Sequence, residues 1–131
     1  MNPNRDFGLG EILSADQCKA QLKTIACWSG TAVYLLWHPS VGRPVYCGTA
    51  NSARRILGHL HKDDLRNGPI GKTHTNPELR AYCLSQPKGW LGVQFKLLQN
   101  EESARQTEQQ IIAHFGIRRA GGTLFNQRFS G

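Results

Sequence analysis

The chain has 131 residues, 39% hydrophobic and 8% aromatic, which is enough for one compact domain with its own core and too apolar for wholesale disorder. Its longest unbroken apolar run, Ala32–Trp37, is far short of the about 20 residues that cross a bilayer. Met1–Glu11 has no apolar block after a basic start, so neither a membrane span nor a secretory signal is expected. Sixteen Lys and Arg against nine Asp and Glu leave a net charge of +7, which favours a polyanionic partner. Each neutralised phosphate releases condensed counterions; nucleic acid is the first candidate and an acidic membrane surface the second, and charge alone does not decide between them.

Residues 1–30 read as an N-terminal extension with one helix, and 31–131 as the body of the same single domain. The spacing predicts a helix over Ser14–Cys27, with Ser14 and Gln17 as a capping box. Leu13 and Cys18 have staple spacing, and Cys18, Leu22, Ile25 and Ala26 fall on one face. Ala32–Trp37 reads as a buried strand. His38–Pro44 is turn chemistry, and Val45–Gly48 reads as a short second strand completing a hairpin. Asn51 or Ser52 caps a helix to about His61, with Ala53, Ile56, Leu57 and Leu60 as its apolar stripe.

A loop punctuated by Asn67-Gly68-Pro69 and Gly71 follows. Asn76 and Pro77 then open a short helix through Leu79 and Tyr82 to about Leu84. Trp90–Leu98 reads as a third strand. Asn100 caps a last helix to Phe115, ended by Gly116. The order predicts an α+β fold: a small, mostly antiparallel three-stranded sheet flanked by helices, with the extra N-terminal helix.

Cysteines stand at 18, 27, 47 and 83 with no CxxC pair. Reduced thiols and a cytoplasmic location are the expectation. A zinc site from Cys47, His59, His61 and Cys83 lacks close-spaced paired ligands.

The candidate chemistry begins with Tyr34 in the first strand and Tyr46 in the second. Gly48 stands where that strand turns out and lets a backbone approach a phosphate. Both tyrosines also suit ordinary strand packing. Arg55 and His59 share a helix face away from the apolar stripe, where a solvated basic face is the plain alternative.

Glu108 is the most telling residue. It falls in the stripe of Ala104, Ile111, Ile112 and Phe115, where a carboxylate has to be paired, hydrogen-bonded, neutralised or metal-bound. Its plain alternative is a place at the stripe's edge, paired with Arg105 or another base. The stretch from His61 to Lys88 carries Lys62, Arg66, Lys72, His74, Arg80 and Lys88. It reads either as a nucleic-acid contact or as an insertion capping one end of the sheet.

Ala32-Val33-Tyr34, eleven residues, then Tyr46-Cys47-Gly48 resembles the signature of the GIY-YIG nuclease superfamily. The resemblance continues in Arg55-Ile56-Leu57-Gly58-His59, in Ala104-x-x-x-Glu108-x-x-Ile111-Ile112-x-x-Phe115 and in Leu124-Phe125-Asn126, covering roughly Thr31 to Asn126. Neither triplet is literal. The loop after Gly48 is one residue shorter than usual, so the arginine is Arg54 or Arg55. The hydrophobic residue after it and the His four positions later favour Arg55.

The resemblance implies a metal-dependent endonuclease that hydrolyses phosphodiester bonds in DNA, with RNA also open as a substrate. Tyr34 would be the general base, with Tyr46 and His59 positioning or relaying the proton. Arg55 would stabilise phosphate charge, and Glu108 would be the single protein ligand of Mg²⁺ or Mn²⁺. Asn126 would be a structural or phosphate-side contact. Gly48, Arg54, Lys62, Arg66, Lys72 and His74 would touch the nucleic acid. A non-catalytic nucleic-acid-binding module with the same fold is the alternative. A monomer and a homodimer both remain open, and no membrane partner is implied.

Overall fold

The computed structural model describes residues 8–24, 30–53, 56, 79, 81–82, 85–87, 89–117 and 121–126. Two short-range signals start the chain. Strand β1 is only Leu13–Ser14, and helix α1 follows at once over Ala15–Thr24. The capping box is formed: Ser14 N–H donates to Gln17 Oε1 at 2.9 Å, and Gln17 N–H donates to Ser14 Oγ at 3.2 Å. These bonds satisfy backbone donors that the first helical turn leaves open. Ala15, Cys18 and Leu22 form the buried face of α1. The expected continuation to Cys27 lies outside the described residues.

Strand β2 spans Thr31–His38 and β3 spans Arg43–Ala50. Between them Pro39–Val41 makes one 3-10 turn. Gly42 closes it at φ 63, with its N–H bonded to Pro39 O, a left-handed conformation that favours glycine. β3 is longer than the expected Val45–Gly48. Pro44 argues against a strand only where its missing N–H is needed, and β3 is an edge strand. The β2–β3 register slips at Leu36/Trp37, where Tyr46 and then Pro44 are the partners. Val45 is the bulged residue left between them.

Strand β4 is Gly92–Leu98, and helix α2 is Glu101–Phe115. Asn100 caps α2 by accepting from Ser103 N–H at 2.8 Å. At the other end Gly116 N–H donates to Ile112 O at 2.7 Å. Both helix ends are therefore as the sequence predicts.

The sheet has four strands in the order β1-β4-β2-β3, and every neighbouring pair is antiparallel. The expected three strands are corrected to four. β1 pairs through Leu13↔Val93 and Ser14↔Gly92, and two residues are too few for any alternation to be read from sequence.

Central β2 is buried along its whole length, so its alternating side chains feed two cores. Ala32, Tyr34 and Leu36 pack with Cys18, Leu22, Ile56, Leu79, Trp90 and Phe125. Val33, Leu35 and Trp37 pack with Cys47, Ile111, Ile112 and Leu124, and Leu9 of the N-terminal segment joins them. A polar chain crosses this second core. Trp37 Nε1 donates to Gln94 Oε1 at 2.7 Å, and Gln94 Nε2 donates to Gly10 O at 2.6 Å. Buried polar groups matched in this way fix the path of residues 8–12. Among the described residues, no helix is long and apolar enough to cross a membrane.

Candidate functional site

Tyr34 of β2 and Gly48 of β3 are direct cross-strand partners. A Cβ at position 48 would lie 2.5 Å from Tyr34 Oη and 2.7 Å from Cζ. The Tyr34 ring therefore lies over the space that a side chain at 48 would fill, which gives Gly48 a physical reason to be glycine. Tyr46 sits two residues along the same face. Its ring centroid is 6.3 Å from that of Tyr34, at a tilt of 36°. Tyr34 is buried and Tyr46 half-buried. The structure thus brings Tyr34, Tyr46 and Gly48 together.

Cys47, between them in sequence, points to the opposite face and packs with Ile111 and Ile112 of α2. Glu108 lies in the buried stripe of that helix with Ala104, Ile111 and Ile112, and is only 3% exposed. Two observations bear on the alternative of a stripe-edge residue paired with Arg105. The residue is buried, and Arg105 pairs with Glu101 at 2.9 Å on the outer face. Burial and the Glu108 carboxylate together push the Cys47 thiol well above the usual thiol range, because both disfavour a thiolate. Cys18 is pushed to about 11 by burial alone. Neither buried thiol is disulfide-bonded, and at neutral pH both are protonated and inert.

Tyr34, Tyr46 and Gly48 therefore face one core, while Glu108 sits on the helix that packs against the other. The edge strand β3 carries the junction: Tyr46 and Gly48 face one way and Cys47 the other.

Asn126 holds that junction in place. Its Nδ2 donates to Cys47 O at 2.7 Å, and its Oδ1 accepts from Cys47 N–H at 3.0 Å. Phe125 N–H donates to Val45 O at 2.6 Å. The segment thus acts as a short surrogate strand on the open edge of β3. Of the two roles left open for Asn126, these bonds support the structural one. Asn126→Ala should destabilise the fold by about 1–3 kcal/mol, because it strands buried backbone groups of Cys47. Urea denaturation would read this as a lower midpoint at unchanged slope. An unchanged midpoint would remove Asn126 as the strut of β3.

Arg54, Arg55, His59, Lys62, Arg66, Lys72 and His74 lie outside the described residues, as do His61 and Cys83 of the zinc alternative. Ala53 and Ile56 are helical, and Ile56 is buried, in keeping with their places in the predicted stripe. Among the described residues no group of three or more His, Cys, Asp or Glu side chains gathers as a metal cage. Glu108 nonetheless has the donor chemistry for a hard divalent ion. Mg²⁺ commonly takes one or two protein carboxylates and completes its shell with water and substrate phosphate.

Sequence reasoning missed a second polar cluster, in which His38 Nδ1 and Tyr82 Oη lie 2.6 Å apart. Its residues are 44 positions apart, and no local spacing marks them. Compared with models of protein families, with curated proteins and with solved structures, the chain shows no match.

Proposed function

We propose that this chain is a metal-dependent endonuclease acting on DNA, of the GIY-YIG type. The observation that carries the reading is the carboxylate of Glu108, 3% exposed in an otherwise apolar helix stripe. Burying a carboxylate there costs free energy that packing alone does not return. The close approach of Tyr34 to Gly48 and the +7 charge support the same reading.

In it, Tyr34 Oη holds and accepts a proton of the attacking water, and the Tyr46 ring beside it helps to fix the phenol. Arg55 offers its guanidinium to the phosphoryl oxygens, a charge-assisted contact that strengthens as negative charge develops. His59, four positions on in sequence, orients or relays a proton. Asn126 keeps Tyr46 and Gly48 in place through the Cys47 backbone. Glu108 would hold Mg²⁺ or Mn²⁺, which supplies Lewis-acid stabilisation of the phosphate and leaving oxygen when bound. Arg54, Lys62, Arg66, Lys72 and His74 serve binding rather than chemistry.

One observation favours a second reading, a nucleic-acid-binding module without catalysis. Tyr34 and the helix carrying Glu108 pack on opposite faces of the sheet. Labelled single-stranded, duplex and branched DNA, incubated with the protein in Mg²⁺, Mn²⁺ or EDTA, separates the two. Fragments that need either metal support the nuclease. Salt-dependent binding without fragments in any metal identifies the module.

A further inference from the structure

At the end of β2 remote from Tyr34, His38 is 8% exposed and sits in a tight aromatic group. Its Nδ1 is 2.6 Å from Tyr82 Oη. The His38, Tyr82 and Trp90 rings meet pairwise, with centroids 5.9, 5.2 and 5.6 Å apart and planes within about 16° of perpendicular. Such edge-to-face contacts are favourable beyond the area they bury. Phe125 continues the group, 4.9 Å from Tyr82.

The group joins three parts of the chain. His38 belongs to the sheet, Trp90 leads into β4, and Tyr82 belongs to a stretch in which Leu79, Ala81, Tyr82 and Ser85 are helical. Leu79 and Tyr82 are that stretch's apolar anchors in the first core.

One feature keeps this docking from being strongly favourable, and another makes it sensitive to charge. Trp90 Nε1 is buried with no hydrogen-bond partner among the described residues, an uncompensated donor that costs free energy whenever the group is assembled. The cross-strand partner of His38 is Arg43, a fixed positive charge beside a titratable ring. We propose that His38, Tyr82 and Trp90 form a pH-sensitive latch, which holds the Tyr82 stretch on the sheet at neutral pH and releases it in mild acid.

The physical reason is the cost of an imidazolium in this position. Charging the ring would bury a cation and place it against Arg43. Both effects lower the His38 pKa from its ordinary value, burial more than Arg43. Among the described residues, Arg43 is the charged group acting on the ring and Tyr82 the titratable group in contact with it. The sign follows. Arg43 stays beside His38 in the β2–β3 pair whether or not Tyr82 is docked, so the difference lies in burial: with Tyr82 released the ring regains water and takes up its proton at a higher pH than when docked. Docking is therefore fully favoured above about pH 6.5 and weakens as pH falls below it.

Amide hydrogen exchange between pH 7.5 and 5, taken as protection factors, tests this together with an NMR titration of the His38 ring. Protection at Ala81, Tyr82 and Ser85 should fall by up to about tenfold per pH unit below 6.5, the limit for one linked proton. Amides of β2 and β4 should keep theirs. In His38→Phe, which retains a ring but no titration, protection of the Tyr82 stretch should be flat with pH. Three results would overturn the latch: protection at Tyr82 that stays constant to pH 5, loss that is equal in β2 and β4, or a His38 ring titrating at or above 6.5. The wild-type measurements decide even where His38→Phe does not fold.

Discussion

Tyr34→Phe is expected to lower DNA turnover by about 10²-fold or more while leaving DNA affinity within a small factor. Phe keeps the ring that packs over Gly48, so strand pairing and the first core should survive. What disappears is the hydroxyl, the atom assigned to the water's proton. Single-turnover rates and equilibrium binding, measured on the same labelled DNA, separate the two quantities. A variant that cuts at the wild-type rate would shift the general base to Tyr46, His59 or a metal-bound hydroxide. A variant that loses affinity and rate together would make Tyr34 a binding residue.

Gly48→Ala should be damaging in two ways at once. The added methyl would come 2.5 Å from Tyr34 Oη and 2.7 Å from its Cζ, inside van der Waals contact. Tyr34 is enclosed on its other sides, so the ring cannot swing away freely, and overpacking of this kind costs about 1–3 kcal/mol. Any relief moves the phenol from the place where it would act. The variant should therefore lose thermal stability and activity together. Gly48→Ala should cost clearly less stability in a Tyr34→Ala background, where the ring it meets is gone, than in the wild type, although Tyr34→Ala itself empties part of the core and restores no activity. An equal cost of Gly48→Ala in both backgrounds would mean that the Tyr34 ring is not what Gly48 accommodates.

The parts of this fold that were legible in the sequence are those whose signals are local. Asn100, Gly116 and the Ala104–Glu108–Ile111–Ile112 stripe define α2, because a cap and a 3.6-residue period are written within a few turns. The Ser14–Gln17 box starts α1 for the same reason. β1 was not legible, since a two-residue strand exists only through β4, which lies about 80 positions away. Pro44 masked the true length of β3, because its cost depends on whether the strand is at an edge, a property of the assembled sheet.

The candidate site divides along the same line. The residue types and their order were readable: Tyr34, Tyr46, Gly48, Glu108 and Asn126. Their arrangement depended on register. Pairing of Tyr34 with Gly48 puts Tyr46 on the same face and Cys47 on the other, and therefore puts α2 and Glu108 behind the strand rather than in front of it. Bonding of Asn126 to the Cys47 backbone spans 79 positions and leaves no trace in local spacing. The Trp37–Gln94–Gly10 chain and the His38–Tyr82 contact are long-range in the same way.

The central claim is that Glu108 makes this chain a metal-dependent phosphodiester hydrolase. Its most direct test is the single-turnover cleavage rate of labelled DNA against Mg²⁺ concentration, for the wild type and for Glu108→Gln side by side. Gln keeps the size of the buried side chain and removes the charge that attracts a cation. The account predicts a wild-type rate that rises to saturation with Mg²⁺ and falls to background in EDTA. It predicts a variant that stays at background at every Mg²⁺ concentration, with DNA affinity unchanged and thermal stability no lower than that of the wild type. Cleavage by Glu108→Gln at the wild-type rate, or a wild-type rate untouched by EDTA, would contradict it.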